Sequence, residues 1–416
     1  MSYFHGGIIL PSAKGQLIAL PFPGESGKAS DSSSADRTAI PFGVRTGKTL
    51  ADADPGELLE EIRAAGIVEA DGRLLAEHIE AAMERSAAGK LRFAAVSLLE
   101  PDPASLSLSS LAVDFADAIA GGLSILLKLL SVREGSILCD KARPEAVDAI
   151  RAACEESRLI AVEVLENRYP LSHPKLITRW LCQKELSAGS SPEAAGLFLT
   201  DAESCIALHS YFATGATRSL VRTTLWENGE GRVYDLPLGL SVAAVIEAGL
   251  FETVSPDLVK SAEDDAVAES ADSDSSEEPA EVVEAAEPAG SAPRSAVAFL
   301  RRGLMDGRPA PAAVDRSLAV LTPNVPAVER TGDCVRCGAC SRVCPMFLQP
   351  YRYLPEKSWI ARLSGTPRDA VSCIGCGCCS FVCPAELPLR RHALEARERE
   401  IARLRDRDDA SKKGAN

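Results

Sequence analysis

Two blocks, CVRCGACSRVCP (334–345) and CIGCGCCSFVCP (373–384), superimpose at every position of the pattern C-x2-C-x2-C-x3-C-P. Nine of the thirteen cysteines lie in this stretch. A thiolate every third residue wraps one corner of an iron–sulfur cube, and the fourth ligand has to arrive from elsewhere. In two-cluster ferredoxins each motif's last cysteine serves the other cluster. The expected ligand sets are therefore Cys334, Cys337, Cys340 with Cys383, and Cys373, Cys376, Cys379 with Cys344. Cys378 falls opposite Ala339 and is surplus. Structural zinc sites pair two short C-x-x-C knuckles, which suits this repeat poorly, so two [4Fe–4S] clusters are expected. Gly338 and Gly377 permit close approach of backbone amides to sulfur, and Pro345 and Pro384 turn the chain away.

The formal charge of −14 is unevenly spread. Residues 261–293 hold eleven acids and no base, so the rest carries only about −3. That remainder gives no footing for nucleic-acid binding. Residues 256–296 read as an acidic, extended linker and 23–36 as a Ser/Gly/Asp loop. The first residues lack a signal-peptide pattern. The greasiest run, 111–132, is interrupted by Asp114, Asp117 and Lys128 and reads as a packed helix rather than a membrane span. Cys139, Cys154, Cys182 and Cys205 have no disulfide spacing and are expected as small buried hydrophobes in a reducing compartment. The five histidines form no cluster, and no catalytic constellation is apparent.

Periodicity predicts a helix at 55–65 capped by Asp54 and stopped by Gly66. Strands are predicted at 93–99, 136–140, 159–165 and 196–200. Helices are predicted at 111–131, at 143–157 (opened by Pro144) and at 201–213. The alternation implies a mostly parallel α/β sheet. Residues 219–251 read as a hairpin around Asn228-Gly229 followed by a helix. EKSWIARLSG (356–365) reads as a helix between the cysteine blocks, presenting Trp359, Ile360 and Leu363, within a mainly helical dicluster domain. A charged helix follows, with i,i+4 pairing.

FHGGIILPSAKG near the start, ELLEEIRAAGIV (57–68), YPLSHPKLI (169–177), the 219–251 unit, RGLMDG (302–307) and both cysteine blocks together resemble the C subunit (RnfC) of Rnf-type ion-translocating oxidoreductases. That family is related to the flavin-and-NADH subunit of respiratory complex I. The resemblance implies a shortened barrel-sandwich-like region (1–54) and a complex-I flavin-subunit-like α/β domain (55–216). It further implies a β-grasp, SLBB-like unit (217–255), the acidic linker (256–296), a ferredoxin-like dicluster domain (297–390) and a charged helical tail (391–416). It implies an electron-transfer role on the cytoplasmic face of a membrane, without a membrane span. Membrane-embedded and flavin-carrying partner subunits, and ferredoxin, would be its partners. FMN and NAD(H) would be the family's other cofactors. Here, however, the glycine-rich phosphate loop expected after AGIV is replaced by EADGRLLAEHI (69–79), with acids at Glu69 and Asp71. The family's E-C-E-P segment survives only as Glu100-Pro101. The chain therefore reads as a divergent member with a degraded NADH/FMN site that keeps the electron relay. The alternatives are a soluble flavin and iron–sulfur reductase of the cobalamin-reductase type, or a non-catalytic scaffold bearing clusters.

Overall fold

The computed structural model describes residues 16–17, 54–187, 189–251, 300–301, 305, 310–323, 333–354 and 368–413. The loop at 23–36, the acidic segment at 256–296 and the helix expected at 356–365 lie outside these residues.

The first body is a parallel sheet covered on both faces. It begins with α1 (Pro55–Ala65) and α2 (Leu75–Ala87). The Asp54 carboxylate accepts from Gly56 N and Glu57 N, and Gly66 closes α1 in the left-handed region. The strands are β2 (Phe93–Ser97), β3 (Gly135–Asp140), β4 (Ile160–Leu165) and β5 (Leu197–Asp201), with β1 (Gln16–Leu17) belonging to a second sheet. Their spatial order is β4-β3-β2-β5, all parallel. Alternate side chains serve opposite cores. Ala94, Val96, Ile137 and Cys139 pack under the helices of the larger core, while Ala95, Leu138 and Leu197 pack with Ile177 on the other face.

The helix expected at 111–131 is two helices, α3 (Ser107–Asp114) and α4 (Ala116–Leu129), which meet at a 91° bend. The bend falls at Phe115, whose backbone leaves the helical region (φ −128°, ψ 28°). Its ring lies under the guanidinium groups of Arg218 and Arg222, at 4.7 and 5.5 Å, while Asp114 pairs with Arg222. These contacts turn the chain between the two sheets, an effect no local pattern encodes. α4 is buried along nearly its whole length. Gly122 lets it approach α7 (Ala202–Thr214): a Cβ at Gly122 would stand 2.3 Å from the Cys205 carbonyl oxygen. Among the described residues no single helix is long and apolar enough to cross a membrane. α5 (Pro144–Cys154) and α6 (Pro174–Cys182) complete the layers. Cys139, Cys154 and Cys205 are buried as expected, whereas Cys182 is only half-buried.

The second sheet has the order β1-β7-β6-β9-β8. Its centre is the predicted hairpin, β6 (Leu220–Glu227) and β7 (Glu230–Pro237), turning at Asn228 (φ 51°) and Gly229 (φ 85°). α8 (Val242–Glu247) follows. β8 (Leu300–Arg301) and β9 (Val320–Pro323) come from beyond the acidic segment, and β9 pairs in parallel with β6. Ala310, Val314, Leu318 and Leu321 pack in one core with Val221, Leu236, Val245 and Ile246. Residues 310–323, grouped by the sequence with the cysteine motifs, thus complete the hairpin unit. They supply a further strand beside β6 and the second half of its core, a long-range pairing that local periodicity does not report.

The cysteine blocks pack on α9 (Leu389–Lys413). Leu389, Ala393 and Ala396 are buried against them, so the first turns of this helix belong to the dicluster fold and not to a tail. Its residues from Ala402 to Arg407 are exposed.

Candidate functional site

The two cysteine blocks fold as twins. Arg336 and Gly375, Gly338 and Gly377, and Phe347 and Glu386 are equivalent pairs, and all six have positive φ. The short helices Ala339–Arg342 and Cys378–Phe381 start from Gly338 and Gly377 with the same amide-to-carbonyl pattern. Gly377 also meets a close neighbour: a Cβ there would lie 2.8 Å from the Met305 carbonyl oxygen. Loop amides reach sulfur, among them Leu348 N to Cys344 Sγ and Gly375 N to Cys373 Sγ, each at 3.4 Å.

The last cysteine of each block lies with the other block. Cys344 lines one pocket together with Cys373, Cys376, Cys378 and Cys379. Cys383 packs in an apolar cluster with Cys334 and Cys340 of the first block and Cys379 of its own. Cys337 is exposed and belongs to neither packed group. The surplus Cys378 is fully buried, and its thiol donates to the Cys376 sulfur. That hydrogen bond lowers the Cys376 pKa against burial and, together with burial, raises that of Cys378. Burial pushes the thiols of Cys340, Cys344, Cys373 and Cys379 up. Bound iron would reverse that, since a coordinating thiol is deprotonated. No three His, Cys, Asp or Glu converge on a single-ion site among the described residues. A sulfur-only donor set, spread around apolar walls and reached by backbone amides, fits a polynuclear cluster and not a lone zinc.

The α/β sheet opens at the C-terminal ends of β2 and β5 onto a cavity of about 450 Å³. Glu69, Asp71, Glu193, Asp201 and Glu203 line it against Arg73, Arg222 and Arg316. The segment standing where the resemblance implies a phosphate loop is a tight turn closed by a Val68–Leu74 bridge. Five of the amides between Glu69 and Leu75 are committed within the chain. Glu69 N donates to Arg73 O, Gly72 N to Glu69 O, and Leu75 N to Ile67 O. Ala70 N donates to the Asp201 carboxylate, and Arg73 N to that of Asp71. Beneath the turn, buried Glu69 accepts from Thr200 Oγ1 at 2.7 Å and holds His78 Nδ1 at 2.7 Å. His78 Nε2 lies 2.6 Å from Glu193 Oε1, and its ring stacks on Phe198. Burial disfavours the charged imidazole, but the two carboxylates outweigh it and raise the His78 pKa. Against burial, the same contact lowers Glu193 to about 2. Arg222 is occupied by Asp235 and Asp114. Glu100 is turned inward as well, its carboxylate accepting from Ser105 Oγ and Ser109 N at the start of α3. FMN and NAD(H) bring phosphates that need free amides or cations. The residues present offer mostly committed amides over a carboxylate floor, with Arg316 Nη1 a lining donor that has no hydrogen-bond partner among the described residues, and do not fit those groups well.

Residues 62–210 match the family model of the Nuo51 FMN-binding domain, and residues 333–387 that of the 4Fe-4S dicluster domain. The C subunit of the proton-translocating ferredoxin:NAD(+) oxidoreductase complex of Clostridium ljungdahlii is 22% identical over 312 residues, covering 74% of this chain and 60% of that one. This chain is similar to such C subunits over most of its length. The C subunit of the Na(+)-translocating complex of Acetobacterium woodii is also 22% identical, over 76% of this chain and 62% of its own. Its counterpart in the ion-translocating complex of Pseudomonas aeruginosa is 29% identical over 39% of this chain and 20% of its own. The chain thus spans about 60% of the length of the two relatives that it matches along most of its own. Among solved structures, an NAD+-reducing [NiFe]-hydrogenase matches 48% of this chain and 39% of its own, at 13% identity and a TM-score of 0.40. The dicluster match and the sulfur geometry agree on two [4Fe–4S] clusters.

Sequence reading named the eight paired cysteines of the two blocks and the acids of the altered loop. It missed His78, Glu193, Tyr169 and Arg390. His78, Glu193 and Tyr169 make their contacts far along the chain; Tyr169, for example, donates to the Cys376 carbonyl from 207 residues away.

Proposed function

We propose that this chain is an electron-transfer subunit of a membrane-bound, ion-translocating oxidoreductase of the ferredoxin:NAD type. Its role is to relay electrons through two [4Fe–4S] clusters toward membrane-embedded and flavin-carrying partner subunits, with ferredoxin or NAD(H) as the distant couple. Cys334, Cys337, Cys340 and Cys383 hold one cluster, and Cys373, Cys376, Cys379 and Cys344 the other. The observation that supports the reading is the placement of the last cysteines: Cys344 lines the second block's pocket, and Cys383 packs with Cys334 and Cys340. An exchange of last cysteines between blocks is the hallmark of paired clusters close enough for electron transfer.

The chain holds a peripheral place on the cytoplasmic side, bound through its partners, and takes no nucleotide of its own. The acid-floored cavity speaks against a self-contained flavin reductase. Anaerobically purified protein is expected to carry about eight irons and eight sulfides per chain, with broad absorbance from thiolate-to-iron charge transfer. Colourless protein loaded with zinc would defeat the proposal.

A further inference from the structure

The twin blocks differ in one respect that their shared backbone makes visible. Cys337 and Cys376 are equivalent, and the backbone carbonyl of each accepts a side-chain hydrogen bond. In the first block the donor is local: Arg342 Nη1 reaches Cys337 O at 3.0 Å. The second block has Phe381 where the first has Arg342. Phenylalanine has no donor, and its ring is 54% exposed. There the carbonyl is capped instead by Tyr169, whose hydroxyl donates to Cys376 O at 2.6 Å. Tyr169 belongs to the loop between β4 and α6 of the α/β body. Ser172 of that loop and Pro174 at the start of α6 line the acid-floored cavity.

Tyr169 is not the only tie between the bodies: Arg179 of α6 lies 5.2 Å over the Phe347 ring of the first block. Asp102 Oδ2, from the loop after β2, accepts from Met305 N at 3.0 Å, and Met305 in turn offers its carbonyl against Gly377. A nearby carbonyl, Gly375 O, accepts from Arg390 Nε at 2.6 Å. The phenol is half-buried.

We infer that Tyr169 is a positioning residue for the second cluster: it replaces in trans the cap that Arg342 provides in cis, and so couples that cluster to the α/β body. A donor on the Cys376 carbonyl fixes the Cys376–Gly377 peptide, and hydrogen bonding around the ligands is what sets a cluster's potential. The inference rests on the cluster assignment proposed above.

The test uses the full chain purified anaerobically, with iron counted and both clusters titrated by EPR. Tyr169→Phe removes one oxygen and leaves the ring packing in place. The expected result is the wild-type iron count with a lower midpoint for one cluster and an unchanged midpoint for the other. Adding Phe381→Arg, which restores the local donor at an exposed position, should return the shifted midpoint toward the wild-type value. Unchanged midpoints in Tyr169→Phe, equal shifts in both clusters, or a shift that Phe381→Arg does not reverse would overturn the inference. Wild-type protein short of about eight irons would remove the cluster assignment itself, and this inference with it.

Discussion

His78 Nδ1 and Glu69 Oε2 stand 2.7 Å apart, both side chains at least 96% buried, directly under the turn that takes the place of a phosphate loop. A second carboxylate, Glu193, holds the ring's other nitrogen. A site shaped for a nucleotide would leave its amides open. Here the chain has filled that position with its own ions.

The first consequence concerns stability. His78→Ala leaves two buried carboxylates without their shared partner and removes the ring stacked on Phe198. Breaking a buried ion pair costs about 3–5 kcal/mol, so a marked fall in the denaturation midpoint of the α/β body is expected. Glu69→Gln keeps a hydrogen-bonding group at the site and should cost about 1–3 kcal/mol. Urea titration of both variants measures the difference.

The same contact makes stability depend on pH. His78 is raised in the folded chain, so its contribution is complete below the ordinary value of 6.5 and fades as pH rises through the raised value. Glu193 is lowered to about 2, so its contribution is complete above the ordinary 4.5 and fades as pH falls toward 2. The unit should be most stabilising between 4.5 and 6.5. Thermal melts of wild type and His78→Ala should diverge most inside that window and draw together above it.

Flavin binding should be absent or weak. With most of the turn's amides committed and Asp201 accepting from Ala70 N, FMN added to the purified chain is expected to show no stoichiometric fluorescence quenching. Tight, one-to-one quenching would contradict the closed turn.

Cys378 and Cys379 are neighbours with different fates. Cys378→Ala should retain about eight irons and shift one cluster's potential, because it removes the thiol donated to the Cys376 sulfur. Cys379→Ala should lose about four irons. Iron analysis and EPR of the two variants separate them.

Much of this was legible in the sequence, for particular reasons. Local rules carried α1, where Asp54 and Gly66 mark both ends, and the hairpin turn at Asn228-Gly229, which needs two positive φ values. Spacing alone identified the twin cysteine blocks and the surplus Cys378. The bend at Phe115 was not legible, because its cause is a pair of arginines about a hundred residues further along the chain. Nor was the return of β9 to β6 across the acidic segment. Glu69 and Asp71 signalled that phosphate would be repelled. That Glu69 instead turns inward to His78 depends on α2 placing the histidine beneath it and on Glu193 arriving from 115 residues away.

The exchange of last cysteines can be read directly from iron counts in two double variants. If Cys344 serves the second block, Cys344→Ala with Cys373→Ala strikes one cluster twice and should leave about four irons per chain, while Cys344→Ala with Cys334→Ala strikes both and should leave almost none. The opposite pattern, iron lost from the first pair and about four retained in the second, would contradict the account.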